Sequence, residues 1–179
     1  MKRFLIGACF ITIVMSGTTK ADVEVYAGLN SVNFKSNFSH TILYENVDSD
    51  TNGYELGINY QLMDFIGVEA GYSSFNSIDY DSLYCPEACI PEPNRVETDL
   101  NAWNAGINAR LPLGVFTIRA AALRYFFDGD NTEELFKNDE WVYRLGVDVE
   151  LGDRIGLGVG YKTGDVLESG YDARITLRF

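Results

Sequence analysis

The chain has one histidine, His40, and acyl transfer needs such a base beside a nucleophile, with an acid to orient it. Ser39 adjoins His40 and Ser36 lies close by, but neighbours along one loop do not make a triad, and no strand-like segment carries a His and Ser pair. No catalytic residue is assigned, and the chain reads as a non-enzyme. Cys85 and Cys89 enclose only Pro86-Glu87-Ala88, without a nearby His or further Cys, which is a poor metal site. In an exported chain such a pair reads as a disulfide closing a tight loop. Asp128-Gly-Asp-Asn-Thr-Glu-Glu134 carries oxygen ligands suited to calcium, yet it lacks the glycine and terminal glutamate spacing of an EF-hand. It reads as a solvated acidic loop, with no metal assigned. Gly156, Gly158 and Gly160 are evenly spaced and no Gly-Lys-Ser/Thr follows, so they relieve crowding in a strand rather than cradle phosphate. No cofactor is implied.

The remaining charged residues of interest fall in alternate positions of extended segments. Glu24, Glu55, Glu69, Asp148, Glu150 and Asp172 share the polar phase of their segments with Arg110, Arg119, Arg144, Lys162, Arg174 and Arg178. Six acids therefore meet six bases on one face. If that face is enclosed, the charges must be paired, and the expected result is an internal salt-bridge network that fills the interior and sets the register.

The segments that position these charges have a period of two. Trp141, Tyr143, Leu145, Val147, Val149 and Leu151 alternate with Val142, Arg144, Gly146, Asp148 and Glu150. The same alternation recurs over 54–62, 66–73, 103–111, 155–162 and 171–179, and more softly from Val23 and from Phe116, which makes eight strands. Their connections alternate in length. Met63 to Phe65, Pro112 to Gly114 and Gly152 to Arg154 read as tight turns, a short link runs from Thr163 to Gly170, and Ser36 to Thr51, Asn76 to Glu97 and Asp128 to Glu140 read as long polar loops. Strands of dyad polarity joined by short turns at one end and long loops at the other are the pattern of an outer-membrane barrel. Aromatics on the apolar face agree. Tyr72, Phe126, Trp141, Tyr143, Tyr161 and Tyr171 fall at the outer ends, and Tyr60, Phe116 and Phe179 at the inner ends.

The N-terminus supplies the route. Met1-Lys2-Arg3, the apolar stretch Phe4 to Met15 and the small-residue tail to Ala21 read as a secretory signal peptide over 1–21, cleaved before Asp22 and leaving a barrel domain over 22–179. The apolar stretch falls short of the ~20 residues of a spanning helix. Cleavage removes Lys2, Arg3 and Lys20 and takes the formal net charge from −12 to −15. Such acidity argues against a nucleic-acid partner or a polybasic membrane-binding role.

The N-terminal signal, the eight segments and the ending Tyr171-Asp-Ala-Arg-Ile-Thr-Leu-Arg-Phe179 resemble the small outer-membrane barrels of the OmpA-like and opacity-protein type. The resemblance covers nearly the whole mature chain and implies an all-β, eight-stranded antiparallel up-and-down transmembrane barrel in a Gram-negative cell envelope. It further implies that the last strand, through Tyr171, Ile175, Leu177 and Phe179, is the signal read by the barrel assembly machinery. The chain departs from full-length OmpA in stopping at the barrel, so no peptidoglycan-binding domain is assumed.

Eight strands enclose a space that side chains roughly fill, so the expected role is structural, with acidic loops presented for surface interaction. The alternative is a narrow channel or carrier for ions or small solutes. Expected partners are outer-membrane lipid and lipopolysaccharide and an extracellular or host surface partner. Arg124, in phase with the apolar face near an outer end, is the expected lipopolysaccharide contact.

Overall fold

A computed structural model describes residues 23–39, 43–84, 94–129 and 139–179. The segment expected as a signal peptide, the Cys85 and Cys89 pair, His40 and the acidic run after Gly129 lie outside the described residues. Eight strands follow one another as β1 (Val23–Ser39), β2 (Leu43–Met63), β3 (Ile66–Tyr84), β4 (Asn94–Leu113), β5 (Phe116–Gly129), β6 (Asp139–Leu151), β7 (Ile155–Thr163) and β8 (Leu167–Arg178). Each pairs antiparallel with the next, and β8 returns to β1 to close the barrel. Closure leaves no open sheet edge within the wall, which is the condition for a sheet to stand in hydrocarbon.

The alternation dictates which face is which. Along β6, Leu145 is 60% exposed and Val147 42%, while Arg144 and Asp148 on either side of them are 4% and 0% exposed. The wall is therefore apolar outside and charged inside, an inversion of a water-soluble sheet that only lipid accommodates. An arginine in place of Leu145 is expected to lower stability by roughly 2–4 kcal/mol if this position sits near the bilayer midplane. The check is refolding into lipid vesicles; an unchanged unfolding midpoint would remove Leu145 from the lipid face.

The inner ends are stitched tightly. Gly114 and Gly152 take φ values of 72° and 75°, a left-handed conformation that lets the β4–β5 and β6–β7 chains reverse within two or three residues. Each turn also accepts a backbone hydrogen bond from the next hairpin: Glu150 N to Val115 O (2.8 Å), Arg178 N to Arg154 O (2.8 Å) and, at the β2–β3 turn, Arg110 N to Phe65 O (2.9 Å). Phe179 N donates to Val23 O (2.9 Å) at the closing seam.

The outer ends differ from the sequence expectation. Segments expected as long loops are largely strand: β1 and β2 stay paired up to Ser39 and Tyr44, and β3 and β4 up to Ser82 and Asn94. Above the lipid the alternation of greasy and polar residues ends because no hydrocarbon selects it, but the backbone still gains by pairing its amides. Polar composition marked the end of the membrane, not the end of the strand. The link between β7 and β8 is shorter than expected, since β8 begins at Leu167. The rim is thus uneven, high along β1 to β4 and low at β7 and β8, where pairing ends at Lys162 and Gly170.

Candidate functional site

The enclosed interior is the place where chemistry-bearing side chains meet, and it has two halves. The inner half is organised around Glu24, which β1 presents inward and which has no exposed surface. Its carboxylate accepts from Arg110 Nη1 (2.6 Å), Arg119 Nη1 (2.6 Å), Arg178 Nε (3.0 Å) and Asn59 Nδ2 (3.0 Å). Arg119 also pairs with Asp148, which accepts from Arg174 Nη2 at 3.1 Å. Glu150 accepts from Arg178 Nη2 (3.1 Å) and Thr117 Oγ1 (3.0 Å). Shared partners on β1, β4, β5, β6 and β8 tie the wall together across its diameter.

A second cluster lies farther out. Glu69 accepts from Arg144 Nη2 (2.6 Å) and Tyr26 OH (2.7 Å), and Glu55 accepts from Arg144 Nη1 (3.1 Å) and pairs with Lys162. Lys162 Nζ also donates to Asn30 Oδ1 at 3.0 Å. Two amides join the clusters: Asn59 serves Glu24, and Asn108 Nδ2 donates to Asn59 Oδ1 at 2.8 Å and, more weakly, to Glu69 Oε2 at 3.4 Å. The rings stack as well as the charges pair, with Arg144 and Arg174 guanidinium carbons 5.7 and 5.9 Å from the centroid of the Tyr26 ring.

All twelve charges of the expected network point inward, and eleven enter ion pairs. Asp172 is the one that makes no ion pair among the described residues; it is buried beside Gly160, and its Oδ1 has no hydrogen-bond partner. The glycines of β7 make room for carboxylates. A Cβ at Gly160 would lie 2.6 Å from Asp172 Oδ1, and one at Gly158 would collide with the Asp148 carboxylate and lie 3.2 Å from Arg174 Nε.

The outer half of the interior was not anticipated. Phe34, Phe75, Leu100, Leu123, Tyr125, Phe127 and Val142 turn inward and form a buried apolar cluster with Val32, Ala102, Ala121, Val166 and Leu167. Phe34 stands edge-on to Phe75 and Phe127, with ring centroids 5.1 and 6.2 Å away. A signal was present. From Ala120 to Phe127 the sequence stops alternating and, Arg124 apart, becomes apolar on both faces, which is what a strand between lipid and an oily interior requires.

On the outside, Tyr171, Ile175 and Leu177 of β8 face outward, with Tyr171 against Tyr161 at 5.5 Å, and Phe179, one residue past its end, is exposed. Arg124 also faces outward, but it is not a free cation: it pairs with Asp139 and lies 5.6 Å above the Trp141 ring.

Comparisons with known proteins follow this architecture. No curated protein matches the sequence. Among solved structures, a de novo designed transmembrane β-barrel matches at TM-score 0.58 and 13% identity, covering 90% of this chain and 98% of the design. Ail, the attachment invasion locus protein of Yersinia pestis, in complex with the heparin analogue sucrose octasulfate, matches at TM-score 0.51 and 10% identity, covering 90% of this chain and all of Ail. The backbone structure of Ail in a phospholipid nanodisc gives TM-score 0.52 at 9% identity, over 89% of this chain and 100% of that one. At such identities the likeness is one of fold. The family model for the outer membrane protein β-barrel domain matches residues 4–176. With that match spanning almost its entire length, the chain belongs to the outer membrane protein β-barrel domain family.

Proposed function

We propose that this outer-membrane barrel is closed to solutes and non-enzymatic, and that its role is structural and at the cell surface, through the acidic hairpins of its outer end. One observation carries the closure. Phe34 of β1, Leu100 of β4, Leu123 and Tyr125 of β5, Val142 of β6 and Leu167 of β8 all point inside and have no exposed surface. Side chains from five strands reach zero exposure only when the space between them is filled, so the outer half acts as a dry stopper above the ion-paired half. Planar-bilayer recording of the refolded mature protein is expected to give no stepwise current. Reproducible ohmic steps would favour the narrow channel or carrier instead.

The surface role rests on charge. Between the membrane-level segments, Glu45, Asp48, Asp50, Asp79, Asp81, Glu87, Glu92, Glu97 and Asp99 are opposed by Lys35 and Arg95 alone. Ail was solved with an octasulfate, a polyanion; an outer end of this charge repels such a ligand and suits a basic extracellular or host partner, or one bridged by divalent cations. A pull-down with heparin is expected to retain nothing at physiological salt, and retention would reverse the assignment.

Arg124 is assigned to lipopolysaccharide, in competition with Asp139. Arg124→Ala is expected to lower the lipopolysaccharide that co-purifies with the barrel, and Asp139→Asn to raise it; equal amounts in all three proteins would end the proposal. The signal peptide over 1–21, the Cys85–Cys89 disulfide and recognition of the Tyr171 to Phe179 strand by the assembly machinery complete the reading. Intact mass of the exported protein tests the first two, and the yield of heat-modifiable Phe179→Ala tests the third.

A further inference from the structure

The low side of the rim is closed by a device of its own. Between β7 and β8 the chain turns over Gly164, Asp165 and Val166, with Gly164 N donating to Leu167 O at 2.7 Å. Beneath this turn β6 presents the carboxylate of Glu140, which is only 6% exposed. It accepts three successive backbone amides: Asp165 N (2.8 Å) and Val166 N (2.7 Å) on Oε2, and Leu167 N (3.0 Å) on Oε1. One ionised side chain thus takes hydrogen bonds from a whole turn, an arrangement in which each bond is charge-assisted.

The turn does more than reverse the chain. The pairing of β8 with β1 shifts register at Asn33 and Phe34, leaving Glu168 as an extra residue on β8. Such a bulge re-aims the side chains beyond it. In strict alternation with outward Tyr171, Leu167 would face lipid; after the shift it faces the interior with no exposed surface, and Val166 beside it is 6% exposed. Both belong to the apolar stopper. The other contacts at the turn among the described residues are Lys35 N to Val166 O (2.9 Å), Thr163 Oγ1 to Glu168 O (2.9 Å), an exposed Lys35–Glu168 ion pair (3.6 Å) and the terminal pairing of Leu167 with Phe34.

We propose that the β7–β8 turn is a lid on the outer end of the barrel and that Glu140 is its latch, so that losing this one acceptor lifts Val166 and Leu167 out of the interior, opening the terminal Phe34–Leu167 pair while the wall below it stays paired. The device deepens the closed-barrel reading and rests on it only for its consequence to permeation; the latch itself is a separate contact. Gly164 supplies a second handle on it. A Cβ there would lie 2.9 Å from Glu140 Oε2, 3.1 Å from its carboxyl carbon and 3.1 Å from Trp141 O, so Gly164→Ala, held off by that backbone carbonyl, presses the more mobile carboxylate away.

Amide hydrogen exchange on the full barrel in lipid nanodiscs tests the latch, with heat-modifiable migration as the check that each variant has folded. In Glu140→Ala and Gly164→Ala alike, exchange at Asp165, Val166, Leu167 and Lys35 is expected to rise about tenfold or more, as loss of hydrogen bonds to a charged group implies. Exchange at Val147 and Val159 in the wall is expected to stay at the wild-type rate. Wild-type rates at the turn in both variants, or one uniform rise through β6, β7 and β8, would overturn the latch. Conductance of the same samples addresses the closed-barrel reading by itself: current in the unmodified protein defeats that reading and leaves the exchange result standing.

Discussion

Glu24→Ala is expected to lower the unfolding free energy by about 3–5 kcal/mol, the usual cost of removing one member of a buried ion pair. Glu24 has no exposed surface, and its carboxylate serves three guanidinium groups. Two of them keep an alternative, Arg119 with Asp148 and Arg178 with Glu150, but the ion pair of Arg110 is with Glu24 alone among the described residues. The loss therefore concentrates on an uncompensated Arg110. Glu24→Ala combined with Arg110→Leu is expected to recover part of the stability, because the double variant no longer buries that unpaired charge. Cold and boiled electrophoresis across a urea series gives the folded fraction for each. A midpoint unmoved by Glu24→Ala would show that the inner network contributes nothing to holding the barrel closed.

Phe34→Ala tests the other half of the interior, with an expected loss of about 3–5 kcal/mol from the apolar contacts forfeited and the cavity left behind. The ring has no exposed surface and is gripped edge-on by Phe75 and Phe127, so neighbours on other strands cannot collapse fully into the gap. The same variant is expected to remain non-conducting, since the ion-paired half lies in series with the stopper. Lost stability without current would separate the two halves as independent barriers, whereas current in Phe34→Ala would make the stopper the sole seal.

The wall of the barrel was legible in the sequence because hydrocarbon imposes a strict rule on every second residue. Tyr143, Leu145, Val147 and Val149 could take no other side while Arg144 and Asp148 took the inner one. The inward charges were legible by the same parity. Which acid meets which base was not, because Glu24 and Arg178 are joined through strand closure and lie at opposite ends of the chain. The apolar half was hidden for a different reason. Phe34, Phe75 and Phe127 stand in the polar phase of their strands, where a parity rule expects charge, and only the loss of alternation along β5 betrays them. Glu140 closes a segment that reads as a long polar loop; its partners are backbone amides, which no side-chain pattern encodes.

The uneven rim bears on where foreign sequence can be grafted onto this protein. β2 runs 21 residues and β7 only 9, a difference of roughly 40 Å along the strand direction before tilt. An epitope tag spliced between Gly164 and Val166 would be set low, down among the sugars of neighbouring glycolipids, and would disturb the lid as well. On the proposed surface orientation, the same tag carried beyond Ser39 and Tyr44, the last described pair of β1 and β2, would ride above that layer, within reach of an antibody on the intact cell. On that orientation the molecule would offer one accessible flank and one screened flank for display, vaccine presentation or phage adsorption.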